Sequence, residues 1–246
     1  VFVTNFWNAD NLLYVVLFGG GHYDYKNVRY SAPNYIPTFY YNDKAVDDYF
    51  AYTDPDSSAY GKVQLALGRF PCTNRQHAAA LVKKVIEIED PLQADFSEWR
   101  NRALFVADDD MQGDKKDPIV GTWGHHTSSD KTSDVIKELN PSIDMRKIYL
   151  YEYEWNSAYE KPAVSKAILN EINNGVAYVN FFGHGSEVQW TDERVLVPDH
   201  TGSMYNDKRY PVISSFSCSV GRFDLPDREC LSAALVNTPQ RGAVAS

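Results

Sequence analysis

The stretch Ala177-Tyr-Val-Asn-Phe-Phe-Gly-His-Gly-Ser-Glu187 decides the fold when it is taken together with Val212-Ile-Ser-Ser-Phe-Ser-Cys218. Each begins as a short run rich in Val, Ile and Phe, which is typical of a buried strand in a parallel sheet. The first run leads to His184, and the second leads to Cys218. Ligands of open α/β sheets bind at the carboxyl ends of such strands. If the two strands are neighbours, these two side chains emerge at the same edge of the sheet.

A cysteine and a histidine at one sheet edge can act as a nucleophile and its base. The imidazole accepts the thiol proton, and the thiolate attacks. Each residue alone also has a structural interpretation, since a free cysteine often only fills buried space. The glycines on both sides of His184 favour catalysis. Without a side chain, Gly185 can turn its N–H into the site, where that N–H and the N–H of Cys218 would form an oxyanion hole.

The composition narrows the class of protein. The 246 residues are enough for one large or two small domains, and we predict two sub-domains, about 1–100 and 101–246. Both ends look cut, so we expect a piece of a longer protein. The net charge of −9 argues against a nucleic-acid partner. No apolar run reaches the roughly 18 residues that span a membrane. Three cysteines cannot form a closed disulfide framework, and Cys72 and Cys230 are interpreted as structural.

Apolar and amphipathic segments alternate along the chain, which predicts a three-layer α/β sandwich with a mainly parallel sheet. Besides the two decisive strands, the pattern predicts strands at 12–18, 62–68, 103–107 and 147–151, and short edge strands at 36–41 and 49–52. Helices are predicted from a cap at Thr73 or Asn74 to just before Pro91, at about 130–139, from Pro162 to just before Gly175, and after Pro226.

Three glycines, Gly19 to Gly21, follow the first predicted strand. Such a run invites a dinucleotide-binding interpretation, but no helix pattern follows it and Tyr23-Asp24-Tyr25 stands where a phosphate would bind. A tight turn is the better interpretation.

Consecutive acids, Asp108, Asp109 and Asp110, follow the strand at 103–107. One interpretation makes Asp108 or Asp109 the acid that orients His184. Another is a calcium site formed by the three acids with Asp114, in which Gly113 supplies the turn, although the spacing is not that of an EF-hand. The third is a solvated acidic loop.

Several residues near these elements are candidates for substrate binding. Ser186, Glu187 and Trp190 are expected to form one wall of the pocket, where Trp190 either stacks on substrate or covers the sheet edge. Adjacent His125 and His126 lack a third ligand at the spacing that zinc needs, so we interpret them as rim residues, with Trp123 beside them.

These motifs carry a resemblance to a known family. Its residues are Phe182 to Glu187 with Trp190, Ser215 to Ser219 with Gly221 and Phe223, and the segments 14–20, 23–25, 36–38, 67–71 and 105–109. Together they resemble the gingipain-type cysteine peptidases. The resemblance implies a caspase-like sheet, a catalytic dyad of His184 and Cys218, and an orienting acid near Asp108 or Asp109. It implies no required cofactor and leaves calcium open. In arginine-specific members an Asp lines the specificity pocket in the region of Trp123 and Gly124, so that specificity does not carry over.

Within this family the segments look most similar to the PorU-like branch, the surface signal peptidase of the type IX secretion system. That branch implies a place at the surface or outer membrane of a Gram-negative bacterium, among outer-membrane secretion-system proteins. Its substrates would be secreted cargo proteins that lose a C-terminal sorting domain, with an amine on lipopolysaccharide as a further acyl acceptor. The alternatives are a general secreted protease of the same family, a catalytically silent scaffold of the same fold, and a nucleotide-binding domain resting on Gly19 to Gly21.

Overall fold

The computed structural model of this chain describes residues 12–52, 63–112, 115–116 and 124–246. Backbone contacts divide the chain into two units. The first consists of Val1–Ala78 with Arg222–Arg228, and the second of Ala79–Gly221 with Glu229–Ser246. Units defined by contacts are not necessarily units of folding, so the predicted sub-domain boundary near residue 100 stays a prediction.

A four-stranded sheet, parallel throughout, forms the centre of the second unit. Its strand order is β12-β9-β5-β8, with β5 at Arg102–Ala107, β8 at Asp144–Tyr149, β9 at Tyr178–Phe182 and β12 at Val212–Phe216. The two inner strands, β5 and β9, are the most apolar. Leu104, Phe105, Val106, Val179 and Phe181 are fully buried. A strand covered on both faces needs such a continuous apolar run, which is why the sequence pattern could identify it.

The α-helices of the described residues are α1 at Arg75–Glu89, α2 at His125–Leu139, α3 at Pro162–Asn174 and α4 at Leu231–Asn237. Of these, α2 and α3 contact strands of this sheet. The helix α3 follows the predicted bounds, because proline occupies its first turn and Gly175 ends it at φ +92°. Its buried face consists of Val164, Ile168 and Ile172. Asn74 caps α1, since its Oδ1 accepts the N–H of His77 at 2.9 Å.

Two predicted boundaries in the second unit were wrong. Helix α2 begins at His125 and not near Asp130, because the Asp110 side chain accepts the His125 N–H at 3.0 Å and so caps the helix from a distant part of the chain. Strand β8 begins at Asp144 and ends at Tyr149, and a 3-10 helix follows at Leu150–Glu152. Further 3-10 helices lie at Glu98–Asn101 and Pro198–Ser203, and short hairpin strands at Met111–Gln112 (β6), Lys115–Lys116 (β7), Gly185–Ser186 (β10) and Gln189–Trp190 (β11).

The first unit contains a parallel pair, β1 at Tyr14–Phe18 and β4 at Ala66–Phe70, and a small hairpin of β2 at Tyr40–Tyr41 and β3 at Lys44–Ala45. Strand β4 continues past Gly68, where the prediction ended it. The second predicted edge strand was also wrong, because Asp47–Ala51 is a 3-10 helix. The Arg69 side chain explains this: it binds Asp47 at 2.5 Å, which fixes the start of that helix.

The glycine run after β1 forms a turn packed on backbone. The Gly20 N–H donates to Cys72 O at 2.8 Å, and the Gly20 carbonyl accepts from Tyr35 and Ile36. A Cβ at Gly21 would collide with Ile36 O. This close backbone approach agrees with the predicted tight turn. The next element after β1 is strand β2, so the helix that a dinucleotide-binding site needs does not follow β1. None of the helices in the described part of the chain has both the length and the apolar character needed to cross a membrane.

Candidate active site

His184 and Cys218 follow neighbouring parallel strands of the sheet. The register pairs Phe182 at the end of β9 with Phe216 at the end of β12, so each functional side chain stands two residues beyond its strand. The pairing continues outward, because the Gly183 N–H donates to Phe216 O at 3.3 Å. Cys218 is exposed and His184 is half-buried, whereas Cys72 and Cys230 are buried. The predicted shared sheet edge is therefore present.

The two loops beyond these strands touch each other at Gly185. A Cβ added to this glycine would collide with Ser217 Oγ and would lie 3.0 Å from Gln189 O. Residue 185 must therefore be glycine for the histidine loop to lie against the residue that precedes Cys218. The oxyanion hole formed by the N–H groups of Gly185 and Cys218 stays a prediction.

The Asp108 carboxyl lies beneath the histidine loop and binds its backbone. Its Oδ2 accepts the His184 N–H at 2.9 Å, and its Oδ1 accepts the Asp109 N–H at 2.9 Å. The residue is almost fully buried. Burial raises the pKa of Asp108 to about 7, and the hydrogen bond from His184 works in the opposite direction. Asp108 thus holds the main chain of His184.

Asp109 points to a different partner, the ammonium of Lys161, at 2.6 Å. Both side chains are buried, and the ammonium also donates to Leu150 O at 2.6 Å. A paired buried carboxylate is fixed in place. The prediction that Asp108 or Asp109 orients the imidazole of His184 stays a prediction.

The third acid, Asp110, faces two histidines at the start of α2. Its Oδ1 lies 3.1 Å from His125 Nδ1, and its Oδ2 lies 3.7 Å from His126 Nδ1. The His125 ring in turn meets the His184 ring, with centroids 5.1 Å apart and planes at 85°. The acid run and the histidine pair are separate features of the sequence, and their contact was not predicted. Asp110 and His125 are 15 positions apart in the sequence, which left no local signal for the contact.

The predicted pocket residues lie in different environments. Trp190 is fully buried, stacks on Phe181 at 4.3 Å and donates its indole N–H to Ser215 Oγ at 3.2 Å. It is a core residue of the sheet edge, so the substrate-stacking alternative was wrong. Ser186 and Glu187 are half-buried in the hairpin after His184.

The remaining two pocket candidates lie near the start of α2. The His126 side chain is 38% exposed, and its ring lies 5.3 Å from the Tyr151 ring, in keeping with a rim position. Trp123 lies outside the described residues.

The calcium hypothesis has no support in the described geometry. Across residues 12–52, 63–112, 115–116 and 124–246, no three His, Cys, Asp or Glu side chains are grouped so as to hold a metal ion. Asp108, Asp109 and Asp110 each have the protein partners given above, and Gly113 and Asp114 lie outside the described residues. Calcium binding stays a prediction.

A parallel sheet that presents cysteine and histidine at adjacent strand ends has the organisation of an α/β cysteine peptidase. The family model of Peptidase family C25 matches residues 2–246, and the chain therefore belongs to that family. Among curated relatives, this chain is 24% identical over 180 residues to Gingipain R2 of Porphyromonas gingivalis. The aligned residues cover 73% of this chain and 22% of that protein. The chain is 27% identical over 114 residues to Lys-gingipain HG66 of the same species, covering 43% of this chain and 6% of that protein.

A solved structure gives the same fold. The crystal structure of the Arg specific cysteine proteinase gingipain R (RGPB) superposes with a TM-score of 0.73 at 19% identity, covering 99% of this chain and 50% of that chain. This likeness confirms the predicted caspase-like α/β/α sandwich with a mainly parallel sheet. The chain thus spans about half the length of the solved relative and about a fifth of Gingipain R2.

Proposed function

We propose that this chain is the catalytic part of a cysteine endopeptidase, with Cys218 as the nucleophile and His184 as its base. The observation that carries the proposal is the register of β9 and β12, which puts both residues beyond paired strand ends, with Gly185 packed against the loop of Cys218. Membership of the peptidase family supports it.

The reaction follows from these positions. His184 accepts the proton of the Cys218 thiol, and the thiolate sulfur forms a bond to the scissile carbonyl carbon. The N–H groups of Gly185 and Cys218 stabilise the oxyanion of the tetrahedral intermediate. Its collapse breaks the C–N bond, and the imidazolium gives its proton to the leaving amine. An acyl thioester on Cys218 remains, and a second nucleophile releases it.

The particular substrate we propose is secreted cargo that carries a C-terminal sorting domain, as in the PorU-like branch. The enzyme would cut that domain off at the surface of a Gram-negative bacterium, beside outer-membrane proteins of the type IX secretion system. Water as the second nucleophile gives hydrolysis, and an amine on lipopolysaccharide gives transfer. The support is the motif resemblance around His184 and Cys218. The gingipain relatives favour a second candidate, a general secreted protease of the same family.

The test uses the longer parent protein and a peptide that spans a cargo–sorting-domain junction. Wild type should cleave the peptide, Cys218→Ala should not, and Cys72→Ala, which changes a buried thiol, should cleave like wild type. Equal cleavage by Cys218→Ala would remove the nucleophile and with it the proposal. Cleavage of unrelated peptides at similar rates would favour the general protease. Binding of the junction peptide without cleavage by wild type would favour a silent scaffold.

The acyl acceptor is measured separately. When an added primary amine is present, the cleaved peptide should carry that amine at its new carboxyl end, and mass spectrometry detects it. A free carboxyl end under all conditions would limit the enzyme to hydrolysis.

A further inference from the structure

The ring of the proposed base lies against a second histidine. The centroids of the His184 and His125 rings are 5.1 Å apart and the ring planes are nearly perpendicular, so the edge of one ring faces the plane of the other. Edge-to-face packing of this kind restricts how far either ring can turn. A histidine that acts as a general base must keep one ring nitrogen directed at the proton that it accepts. A ring that cannot turn freely is therefore better suited to this role.

Asp110 lies against His125 at two points, one of them a backbone hydrogen bond. Asp110 Oδ1 accepts the backbone N–H of His125 at 3.0 Å and lies 3.1 Å from the ring Nδ1. The side chains are mostly buried, at 20% and 15% exposure. Gly124 makes room for this arrangement, because a Cβ there would collide with Asp110 Oδ2. Asp110, His125 and Gly124 therefore form one closely packed group at the start of α2.

We propose that His125 is a positioning residue for His184, and that Asp110 holds His125 in place. The proposal rests on the proposed function, because it assigns a partner to the base of that same site. His125 packs against the imidazole of His184 and limits its rotation, while Asp108 holds the main chain of His184 through a hydrogen bond.

The charge on Asp110 adds a second effect. When His184 takes the thiol proton it becomes an imidazolium, and a carboxylate held behind the neighbouring ring stabilises that positive charge. Two further titratable groups lie at this cluster: His126, with Nδ1 3.7 Å from Asp110 Oδ2, and Asp108, which accepts the His184 N–H.

Three variants of the parent protein separate these effects. His125→Ala removes the ring, His125→Phe keeps an aromatic ring against His184 but removes the nitrogen that faces Asp110, and Asp110→Asn removes the charge. Asp134→Asn, an exposed acid on the same helix, is the matched control. Each is measured for kcat and KM with the junction peptide. The rate at which iodoacetamide alkylates Cys218 is followed against pH, which needs no substrate.

We expect His125→Ala to lower kcat by about 100-fold, the size of effect that a misplaced catalytic group produces, with little change in KM. His125→Phe should recover part of this loss, because the phenyl ring still packs against the imidazole of His184. Asp110→Asn should slow the alkylation of Cys218, because no carboxylate then stabilises the positive charge that His184 carries when Cys218 is a thiolate. Asp134→Asn should match wild type in all of these.

The outcomes distinguish this inference from the proposed function. An active wild type whose kcat and alkylation profile are unchanged in His125→Ala and Asp110→Asn would overturn the positioning role alone. A wild type that neither cleaves nor alkylates faster at Cys218 than at Cys72 and Cys230 would overturn the proposed function, and the positioning role with it. If His125→Ala fails to fold by circular dichroism, His125→Phe and Asp110→Asn decide, since Phe keeps an aromatic ring at position 125 and Asn has nearly the same shape as Asp.

Discussion

The Asp108 carboxyl at the end of β5 accepts the backbone N–H of His184 at 2.9 Å, so one strand end fixes the loop of its neighbour. The next two acids do different work. Asp109 pairs with the buried Lys161, and Asp110 holds His125. Three consecutive carboxylates that look alike in the sequence therefore have separate roles, because the chain turns sharply here and Asp110 has a positive φ of 60°.

The contact between Asp108 and the histidine loop depends on Gly183. A Cβ at this position would lie 2.6 Å from Asp108 Cβ and 2.6 Å from Phe181 Cζ, closer than packed atoms allow. We expect Gly183→Ala to displace His184 and lower kcat by about 100-fold, and to reduce the free energy of unfolding by about 1–3 kcal/mol. Junction-peptide kinetics and urea unfolding measure the two effects.

Gly202→Ala is the matched control, since a Cβ at Gly202 meets nothing within 4 Å. It should leave both measurements at the wild-type level. Normal kinetics in Gly183→Ala would show that the histidine loop does not need this close approach.

The stability of the protein should depend on pH through Asp108. Burial raises the pKa of Asp108 from 3.8 to about 7 in the folded state. Between these values the folded state binds the proton and the unfolded state does not. The contribution of Asp108 to the free energy of unfolding is therefore fully present below about pH 4 and is lost as pH rises to about 7. Each pKa unit corresponds to about 1.4 kcal/mol.

Urea unfolding at several pH values from 5.5 to 8, all above the sequence pI near 5.1, measures this slope. In Asp108→Asn the side chain no longer titrates, so stability should fall less over this range than in wild type. If the free energy of unfolding changes with pH equally in the two proteins, the pKa of Asp108 in the folded state is close to its ordinary value.

The sequence could predict the strand ends and the helix α3 because their signals are local. Continuous apolar runs mark the inner strands, and Pro162 and Gly175 mark the ends of α3. The adjacency of β9 and β12 followed from the parallel-sheet rules, and with it the common edge of His184 and Cys218.

The remainder of the site depends on contacts between distant residues. The start of α2 is set by Asp110, which lies 15 positions away from His125, so the periodic pattern of the helix could not show it. Trp190 returns to the core because the hairpin after His184 folds its ring onto Phe181. The side chain of Lys161 reaches Asp109 from a loop before α3, and no local pattern pairs the two.

The Lys161–Asp109 pair should be important for stability. The two side chains are 3% and 2% exposed and their charged atoms lie 2.6 Å apart. Lys161→Met would leave Asp109 buried without its countercharge, and we expect a loss of about 3–5 kcal/mol in the free energy of unfolding. The double variant Lys161→Met/Asp109→Asn should recover part of that loss, because it removes the uncompensated charge.

The exposed pair of Lys147 and Asp130 provides the comparison. Its atoms are also 2.6 Å apart, but its side chains are 35% and 44% exposed. Lys147→Met should cost about 1 kcal/mol or less, since water screens such a pair. Equal losses for Lys161→Met and Lys147→Met would contradict the role assigned to burial.

Lys84 should be a second buried lysine on which stability depends, because it satisfies carbonyl groups near residues 235–243. Its ammonium donates to Leu235 O at 3.2 Å, Val236 O at 2.8 Å and Ala243 O at 3.0 Å. The carbonyls in the last turn of α4 have no partner further along the helix. Lys84→Met would leave buried acceptors without a donor, so we expect a loss of about 2–3 kcal/mol in urea unfolding.

The adjacent Lys83 is the matched control for this variant. Its side chain is 51% exposed and pairs with Glu87 at 3.5 Å, so Lys83→Met should cost about 0.5 kcal/mol or less. The two variants should also differ in pH dependence. Burial lowers the pKa of Lys84 from 10.5 to about 7, so from about pH 7 to 10.5 the unfolded state binds the extra proton, and this group makes stability rise with pH. Lys83→Met should keep that rise and Lys84→Met should lose it; a rise that persists in Lys84→Met would show that another group causes it.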